Sequence, residues 1–410
     1  MTVSQKRRNN APLSPYRVIE VADEKGVYCG KLLAELGADI IKIEKPGGDE
    51  TRNIPPFAGD DPHPEKGFFF LYYNQNKRGI TLNLECRDGQ EIFKKLVQNA
   101  DVIVESFPTG HLDSLGIGYS DLNEINPSLI MTSITGFGQS GPYKDYKITE
   151  LISFAMGAMF QCGEPARPPS VSPIMMSLHC TAIHAAFATL IALRHRAATN
   201  EGQHVDVAIH DITATSIGEG MASRWFNFQE LLTRQGSQHT TAPAAIYPCK
   251  DGHAYVVGGL VPGSGPGSWP AFIEWIGSPE LLKEPVWEDA NFRRQNIDVI
   301  NPYIIEHTMN YTKAELYRDG QAKHFPVSPV QTPADFINSP QTKARGFFTE
   351  VDHPVIGKQT YPGPPYKLAI PWEIVKRSAP LIGQHNMEVY CGDLGLSKED
   401  LSVMRASGVI

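Results

Sequence analysis

The first half of the chain alternates short runs rich in β-branched residues with amphipathic stretches. The β-rich runs predict strands over Tyr16–Val21, Asp39–Glu44, Ile80–Leu84, Asp101–Glu105, Leu129–Ile134 and His204–Ile209. Between them the pattern predicts helices over Tyr28–Leu36, Asp88–Asn99 and Ser177–Ala197, with Asp88 able to cap its own first turn. Strands and helices joined by short connections are typical of an α/β fold with a mostly parallel sheet covered by helices.

The residue pattern changes after about Glu219, where aromatic and polar residues are mixed and the alternation of strand and helix patterns ends. We expect residues 1–224 to form the first part of a large domain and 225–325 to form a smaller one. A Pro-rich linker follows, and residues 326–410 are predicted to return to the large domain. Val261–Ser268 is rich in Gly, Pro and Ser, which predicts a loop. This loop could be a lid over a pocket or an ordinary turn.

Composition removes several classes of function. The chain has 410 residues, 41% of them hydrophobic, and a net charge of −8, so neither a nucleic acid nor an anionic membrane is expected as a partner. No secretory leader pattern is visible, and the longest apolar stretch, about Ala182–Leu193, is too short to cross a bilayer. The six cysteines are far apart and form no CxxC pair, which predicts free thiols and a cytoplasmic protein.

Gly136–Gly141 matches the GxGxxG pattern and follows a predicted strand. A dinucleotide site needs a helix to begin at that loop, so that its N-terminus can hold a pyrophosphate. Here the sequence continues with Pro142–Tyr146, and helical character resumes only near Thr149. The pattern therefore predicts a loop at a strand end rather than a nicotinamide site.

The histidines do not form a metal-binding pattern. His179 and His184 are five positions apart, about 140° around a helix, so they predict packing or surface residues rather than a ligand pair. A second group near the last predicted strand contains His204, Asp206, His210 and Asp211. Only the first two share a strand face, and polar residues are common at strand ends. No metal site is expected.

Five basic residues lie at or just after predicted strand ends: Lys42, Lys45, Arg52, Lys77 and Arg78. In an open α/β sheet, ligands that carry phosphate usually bind outside the carboxyl ends of the strands. The cluster could therefore hold a ligand with several phosphates. The other interpretation, that these are solvated loop charges, is equally open from the residues alone.

Several longer segments, taken together and in order, resemble the class III (CaiB/BaiF-type) CoA-transferases. The resemblance covers nearly the whole length and is carried by Leu32–Arg52, Asn74–Leu84, Ala100–Phe107, Leu115–Leu122, Asn126–Tyr143 and Glu201–Asp211, with GPPYKL and APLIGQH near the end. It implies a Rossmann-like large domain with a parallel sheet and a smaller α+β domain. It also implies a dimer of interlocked rings, an exception to the usual unthreaded topology.

The chemistry implied by this resemblance is covalent catalysis by an Asp at the head of the long helix, which forms an anhydride and then an enzyme–CoA thioester. Counting back from Gly202 without gaps, that position holds Leu178. The racemase branch of the family pairs a His with an Asp or Glu, and its His-Asp step falls on Thr149-Glu150. Both chemistries therefore lack a key residue in this chain.

Other positions depart from the family pattern as well. The turn before the first helix reads Glu24–Val27, the loop often written Arg-Pro-Gly reads Pro108–Gly110, and Ser114 stands where some relatives carry a CoA-binding Arg. The resemblance assigns CoA contacts to a set of positions that match in place but only partly in chemistry: Lys45, Tyr73, Asn76, Lys77 and Lys147.

These features predict a non-catalytic subunit of a hetero-oligomeric CoA-transferase, in which a homologous partner chain supplies the Asp. The resemblance is strongest to enzymes that move CoA from succinyl-CoA to (R)-benzylsuccinate in anaerobic toluene degradation. One alternative is an active CoA-transferase that uses another carboxylate, Glu150 or Glu164. A third is a non-enzymatic protein that binds acyl-CoA. CoA or acyl-CoA is expected as substrate, though this chain need not bind it, and no metal is expected.

Overall fold

The fold is taken from a computed structural model, which describes residues 11–157, 174–216, 243–369 and 377–410. The strands are β1 Arg17–Val21, β2 Asp39–Glu44, β3 Arg78–Thr81, β4 Val102–Glu105, β5 Ile130–Thr135, β6 Gln203–Ala208, β7 Ala244–Cys249, β8 Gly252–Val257, β9 Val327–Pro329, β10 Phe348–His353 and β11 Gly357–Pro362.

The helices of the first half are α1 Val27–Glu35, α2 Phe68–Tyr73, α3 Arg87–Val97, α4 His111–Ser114, α5 Tyr119–Ile125, α6 Glu150–Met156, α7 Met176–Thr199 and α8 Ile209–Ser216. Those of the second half are α9 Trp269–Trp275, α10 Ala290–Gln295, α11 Ile297–Thr308, α12 Lys313–Ala322, α13 Pro333–Asn338, α14 Pro340–Ala344 and α15 Lys398–Ala406. A π-helix, Met387–Asp393, precedes α15.

The first six strands form one parallel sheet in the order β3-β2-β1-β4-β5-β6. This is the order of doubly wound sheets, in which two halves run outward from a switch point between β1 and β4. The α/β class and the parallel sheet predicted from the sequence are therefore confirmed. Ligands of such sheets usually bind at the carboxyl edge near the switch point.

The strands β1 to β5 are buried on both faces of the sheet. Successive residues of a strand point to opposite faces, so one strand can contribute to two clusters. On β1, Val18 packs in a cluster with side chains of α1 and α7, whereas Ile19 packs in a second cluster with side chains of α3 and α5. The second cluster also receives side chains from the C-terminal segment, among them Tyr390 and Leu401. The sheet is thus a rigid support for whatever its edge loops carry.

The third predicted strand, Ile80–Leu84, is displaced in the structure, since β3 ends at Thr81. The Leu82 N–H still reaches the Glu44 carbonyl at 2.8 Å, but the Asn83 N–H donates to Val409 of the C-terminal segment, also at 2.8 Å. A long-range backbone partner thus ends the ladder early. The capping prediction for Asp88 is also wrong, because the residue lies within the first turn of α3 and Cys86 is the N-cap.

The described residues fall into two compact units. Residues 11–157, 174–216, 346–369 and 377–410 belong to the unit with the parallel sheet. The second unit covers described residues 243–345, where β7, β8 and β9 form an antiparallel sheet. Its core is rich in aromatic side chains such as Trp269, Phe272 and Phe325.

The predicted domain boundaries stay predictions. The one at 224/225 lies outside the described residues, and the one at 325/326 falls just before β9. The predicted loop Val261–Ser268 is largely exposed, and the Val261 N–H donates to the Gly267 carbonyl at 3.2 Å. Gly267 has a φ of 79°, which favours glycine there.

Candidate active site

The head of α7 is capped by a side chain from another helix. Met175, its N-cap residue, makes no side-chain cap. Glu150, the first residue of α6, accepts a hydrogen bond from the Ser177 N–H at 2.9 Å and a second, short one from the Ser177 hydroxyl. A carboxylate is favourable here because the first amides of a helix have no intrahelical acceptor and carry partial positive charge. A carboxylate therefore does lie at the head of α7.

Leu178 follows directly in the first turn of α7. Its side chain is half-buried and packs against the buried cluster that includes Leu33 and Ala182. An isobutyl group offers neither a lone pair nor a proton, so it cannot attack a thioester. Met176–Thr199 contains no Asp or Glu, so α7 supplies no carboxylate nucleophile of its own.

An imidazole–phenol pair lies beside Leu178. The Tyr73 hydroxyl and Nε2 of His179 are 2.5 Å apart, and Nδ1 of the same ring is 2.7 Å from the Met175 carbonyl. Since a carbonyl only accepts, Nδ1 carries the proton and the Tyr73 hydroxyl donates to Nε2. Burial raises the pKa of Tyr73 to about 12, so it remains a neutral donor. Tyr28 contacts both rings edge-on.

His179 was predicted as a packing or surface residue, and here it contributes to packing through these contacts. Its partner Tyr73 lies 106 positions earlier in the chain. Nothing in the local sequence pattern links the two, so the pair could not have been found from spacing.

Lys77, one of the predicted CoA contacts, is fully buried. Its ammonium group lies 2.8 and 2.7 Å from the two carboxylate oxygens of Glu20, 2.9 Å from the Val27 carbonyl and 3.0 Å from Oδ1 of Asn74. The three N–H bonds of the Lys77 ammonium group are thus already surrounded by four acceptors, and the side chain is not exposed to solvent. This geometry argues against direct contact between Lys77 and CoA.

The other predicted CoA contacts are more open. Lys45 is exposed and forms an ion pair with Glu50, and Lys147 is exposed on the loop before α6. Asn76 has a φ of 62° and exchanges two hydrogen bonds with the backbone of Arg377, each of 2.9 Å. Tyr73 is half-buried and bonded to His179 as described above. Their role in CoA binding stays a prediction.

Three other basic residues of the predicted strand-end cluster form buried ion pairs: Lys42, Arg52 and Arg78. The sequence suggests either a phosphate site or solvated loop charges, and neither of these is a buried ion pair. Arg52 donates to both oxygens of Glu44, at 2.6 and 2.7 Å. Lys42 donates to the Ala22 carbonyl at 2.8 Å and to Asp49 at 3.3 Å. Burial acts to lower the pKa of Lys42, but the surrounding carboxylates, Asp49 foremost, outweigh it and raise that pKa. These side chains hold the strand-end loops together.

Arg78 has the same structural role at the start of β3. It donates to both oxygens of Asp39, at 2.8 and 2.5 Å, and to Asp393 at 3.0 Å. Although burial opposes it, the Asp39 charge raises the pKa of Arg78 above its ordinary value. The residue thus ties the N-terminal edge of the sheet to the C-terminal segment.

A cavity of about 300 Å³ opens outside the carboxyl ends of β1, β2, β3 and β4, at the switch point of the sheet. Its lining mixes apolar and acidic side chains. The lining residues are Val21, Ala22, Asp23, Ile43, Glu44, Lys45, Asp49, Glu50, Leu82, Asn83, Leu84, Glu85, Ser106, Phe107 and Pro108. Its position is the one at which doubly wound folds bind nucleotides.

Next to this cavity, Glu105 at the end of β4 is almost completely buried. Burial raises the pKa of Glu105 to about 7, against the opposing hydrogen bonds from the Ser133 hydroxyl and the Phe107 N–H. The Ser133 hydroxyl also lies 2.8 Å from Nε2 of His204. Glu105, Ser133 and His204 therefore form one hydrogen-bonded chain that begins beside the cavity.

His204 and Asp206, adjacent on one strand face, have different partners. His204 belongs to the Glu105 chain, whereas Oδ2 of Asp206 accepts the Gln139 N–H at 2.9 Å and fixes the glycine loop Gly136–Gly141. His210 pairs with Asp211 next to it, at 2.9 Å. These contacts are structural rather than an acid–base pair. Within the described ranges, no group of three or more His, Cys, Asp or Glu side chains could hold a metal ion.

Two further residues complete the comparison with the sequence. Glu164, a candidate for an alternative nucleophile, lies outside the described residues. Ser114 is exposed in α4, and its hydroxyl donates to the His111 carbonyl at 2.6 Å.

Of the described helices, α7 has the length and composition of a membrane span, but it packs on α1, α8, β5 and β6.

Comparison with known proteins gives consistent matches along the chain. The model of CoA-transferase family III matches residues 13–386. The subunit BbsE of succinyl-CoA:(R)-benzylsuccinate CoA-transferase from Thauera aromatica is 32% identical over 391 residues, which covers 92% of this chain and 94% of the relative. The succinyl-CoA–D-citramalate CoA-transferase of Chloroflexus aurantiacus is 31% identical over 408 residues, covering 98% and 99%.

Among solved structures, a CAIB/BAIF family protein from Brucella suis is 29% identical to this chain. It superposes with a TM-score of 0.83 and covers 94% of this chain and all of its own. The similarity therefore extends over the whole architecture and is not confined to one motif.

Proposed function

The chain belongs to CoA-transferase family III, whose members use CoA thioesters as substrates, and we propose that it is a non-catalytic subunit of a hetero-oligomeric enzyme. A homologous partner chain supplies the nucleophilic Asp. The complex moves CoA from an acyl-CoA, succinyl-CoA in the first instance, to an organic acid such as (R)-benzylsuccinate. We place it in the cytoplasm.

The observation that carries this proposal is Leu178 at the head of α7. The reaction needs an ionised oxygen that can attack a thioester carbonyl and then carry the acyl group or CoA. Leu178 cannot do this, and its side chain packs into the apolar cluster beneath it. A neighbouring chain with Asp at this position would restore the chemistry to the assembly.

An apolar stripe on α7 supports the requirement for a partner. Ile183, Phe187 and Ile191 follow one another at intervals of four residues and are 50%, 62% and 54% exposed. Such a spacing places them on one helix face, and contiguous exposed apolar surface marks an interaction site. We propose that a homologous chain covers this face in an interlocked-ring dimer. The name of the relative from Thauera aromatica describes it as a subunit.

The substrate assignment rests on the relatives. The two described above carry succinyl-CoA in their names, with (R)-benzylsuccinate in one and D-citramalate in the other. Both named acceptors are dicarboxylic acids. We therefore propose succinyl-CoA as donor and a dicarboxylic acid, (R)-benzylsuccinate first, as acceptor.

One observation favours a second candidate, an active transferase that uses Glu150. The Glu150 carboxylate lies at the head of α7, where both of its oxygens accept hydrogen bonds from Ser177. Ser177 is the residue directly before Leu178. In this alternative, Glu150 leaves its capping position and attacks the thioester.

Covalent trapping distinguishes these candidates. The natively purified complex is incubated with succinyl-CoA, and peptides that carry CoA or a succinyl group are identified by mass spectrometry. We expect the adduct on an Asp of a co-purified homologous chain and none on this chain. An adduct on Glu150, retained activity of this chain alone and its loss in Glu150→Gln would overturn the proposal. Binding of acyl-CoA without turnover, with or without a partner, would instead indicate a binding protein.

A further inference from the structure

On the basis of the proposed function, we infer that the carboxyl-edge cavity of this chain does not hold the polyphosphate of CoA. A heteromer that contains this chain would then have one working CoA site for each pair of chains. The inference rests on three features of the cavity. These are the acidic residues in its lining, the ion pairs that its lysines already form, and the hydrogen bonds of the backbone amides at the start of α1.

The charged groups that line the cavity are mostly acidic. Asp23, Glu44, Asp49, Glu50 and Glu85 contribute carboxylates, whereas Lys45 is the single basic lining residue among those described. CoA carries a pyrophosphate and a 3′-phosphate, all ionised at neutral pH. Four of these carboxylates are themselves paired with basic side chains, those of Lys25, Lys42, Lys45 and Arg52. The charged side chains of the described lining therefore have no excess of positive charge with which to attract such a ligand.

The cations in and beside the cavity already have carboxylate partners. Lys45 pairs with Glu50 and Lys25 pairs with Asp23, each through a short contact. Lys42 is fully buried and donates to Asp49. An incoming phosphate would have to displace a carboxylate from each of these ammonium groups. The cavity thus offers phosphate little uncompensated positive charge.

At the head of the helix that follows β1, the amides of Gly26 and Val27 already have an acceptor. A pyrophosphate in a doubly wound fold usually binds the amides where the first helix begins. Here the Asp23 carbonyl accepts the Gly26 and Val27 N–H groups, both at 3.0 Å, and the Asp23 side chain accepts the Lys25 N–H at 3.0 Å. The oxygens of Asp23 therefore already engage three amides that a phosphate could otherwise use, those of Lys25, Gly26 and Val27.

The remaining wall is apolar and includes Leu82, Leu84 and Phe107. An uncharged adenosine is compatible with this wall, whereas its phosphorylated form meets the acidic side chains. We therefore expect phosphate groups to weaken binding to this chain rather than strengthen it.

Titration calorimetry with adenosine and with adenosine 3′,5′-bisphosphate tests this directly on the full-length chain. We expect the bisphosphate to bind no more tightly than adenosine. In the double variant Glu50→Gln/Glu85→Gln, Lys45 is released and an acidic group is removed, so bisphosphate affinity should rise roughly fivefold, as for a surface ion pair. Glu124→Gln, an exposed carboxylate outside the lining, is the matched control.

A wild-type chain that binds the bisphosphate more tightly than adenosine would overturn the inference. So would a double variant that binds it no better than the wild type does. In the native complex, equilibrium dialysis with labelled CoA should give one CoA per pair of chains, and two equivalent sites would contradict it. Covalent trapping reports on the catalytic role and these titrations report on the cavity, so either idea can fail while the other stands.

Discussion

Glu20 and Glu150 are carboxylates of the same unit in opposite situations. Glu20, on β1, is fully buried between two ammonium groups, with Lys77 at 2.7 Å and Lys42 at 3.6 Å. Glu150 is half-buried and holds only the head of α7, through Ser177. Glu20 thus belongs to a buried network of charges, whereas Glu150 contacts Ser177, the neighbour of the aliphatic Leu178.

This difference shows which parts of the family pattern the fold itself requires. Lys42, Arg52 and Lys77 belong to the segments that carry the family resemblance, and all three are buried in ion pairs. Breaking a buried ion pair leaves an uncompensated charge, so such residues are retained whether or not the enzyme turns over. The head of a helix accepts an aliphatic residue at much lower cost. A chain can therefore keep the family pattern while it lacks the family nucleophile.

The largest effect is expected from Lys77→Met. The substitution keeps the volume but leaves Glu20 with Lys42 alone, 3.6 Å away, so the free energy of unfolding should fall by about 3–5 kcal/mol. Urea unfolding followed by circular dichroism measures it. Lys45→Met is the matched control, since its ion pair with Glu50 is exposed, and its midpoint should not move. Similar midpoints for the two variants would remove the contrast on which the comparison rests.

A smaller effect is expected from Glu105→Gln, and it depends on pH. Burial raises the pKa of Glu105 from 4.5 to about 7, so ionisation is less favourable in the folded state than in the unfolded one. Its stabilising contribution is complete below the unfolded pKa and is lost as pH rises through the folded pKa. Between about pH 5 and about pH 8, the wild type should therefore lose on the order of 3 kcal/mol relative to the variant.

Urea unfolding at the two pH values measures this slope, with the exposed Glu91→Gln as control. Parallel pH profiles of wild type and Glu105→Gln would show that Glu105 does not titrate in this range.

Glu150→Ala should cost about 1–2 kcal/mol, because the N-terminus of α7 loses a charged cap. Thermal unfolding monitored by circular dichroism measures the loss. Glu124→Ala, an exposed helical carboxylate, is the control and should change the midpoint little. If Glu150→Ala is as stable as the control, the bond to Ser177 contributes nothing and the side chain is free for another role.

The smallest effect is expected from Tyr73→Phe, which removes only the donor to Nε2 of His179. One such hydrogen bond is worth about 1 kcal/mol. A double-mutant cycle with His179→Gln, followed by urea unfolding, should give a coupling energy of about 0.5–1 kcal/mol. Strict additivity of the two substitutions would mean that the 2.5 Å contact does not stabilise the protein.

Most of the parallel sheet follows from local sequence pattern. The predicted β2 range is identical to the observed one, those of β1 and β4 begin one residue too early, and those of β5 and β6 are shifted by one residue. Of these strands, β1, β2, β4 and β5 are buried on both faces, so their apolar runs are strong signals. The third strand was misplaced because its end depends on a hydrogen bond between Asn83 and Val409, which are distant in sequence.

The candidate site was only partly predictable. That position 178 holds a leucine is read directly from the sequence once the chain is aligned with the family pattern. The cap from Glu150 spans 27 positions and the Tyr73–His179 contact spans 106, and spacing rules reach only a few residues. The burial of Lys77 could not be foreseen either, because a lysine just before a strand looks the same in the sequence whether it faces solvent or a buried glutamate.

The shared use of Glu20 has a consequence for how this family can diverge. Because Glu20 is the carboxylate partner of Lys77 and, beside Asp49, a second partner of Lys42, a neutral residue at position 20 or 77 leaves a charge imbalance that a second substitution must correct. A side chain at Gly30 is also restricted, since its Cβ would lie 1.6 Å from a Glu20 oxygen. Positions 20, 30 and 77 should therefore covary among homologues as one group, independently of the residue at position 178.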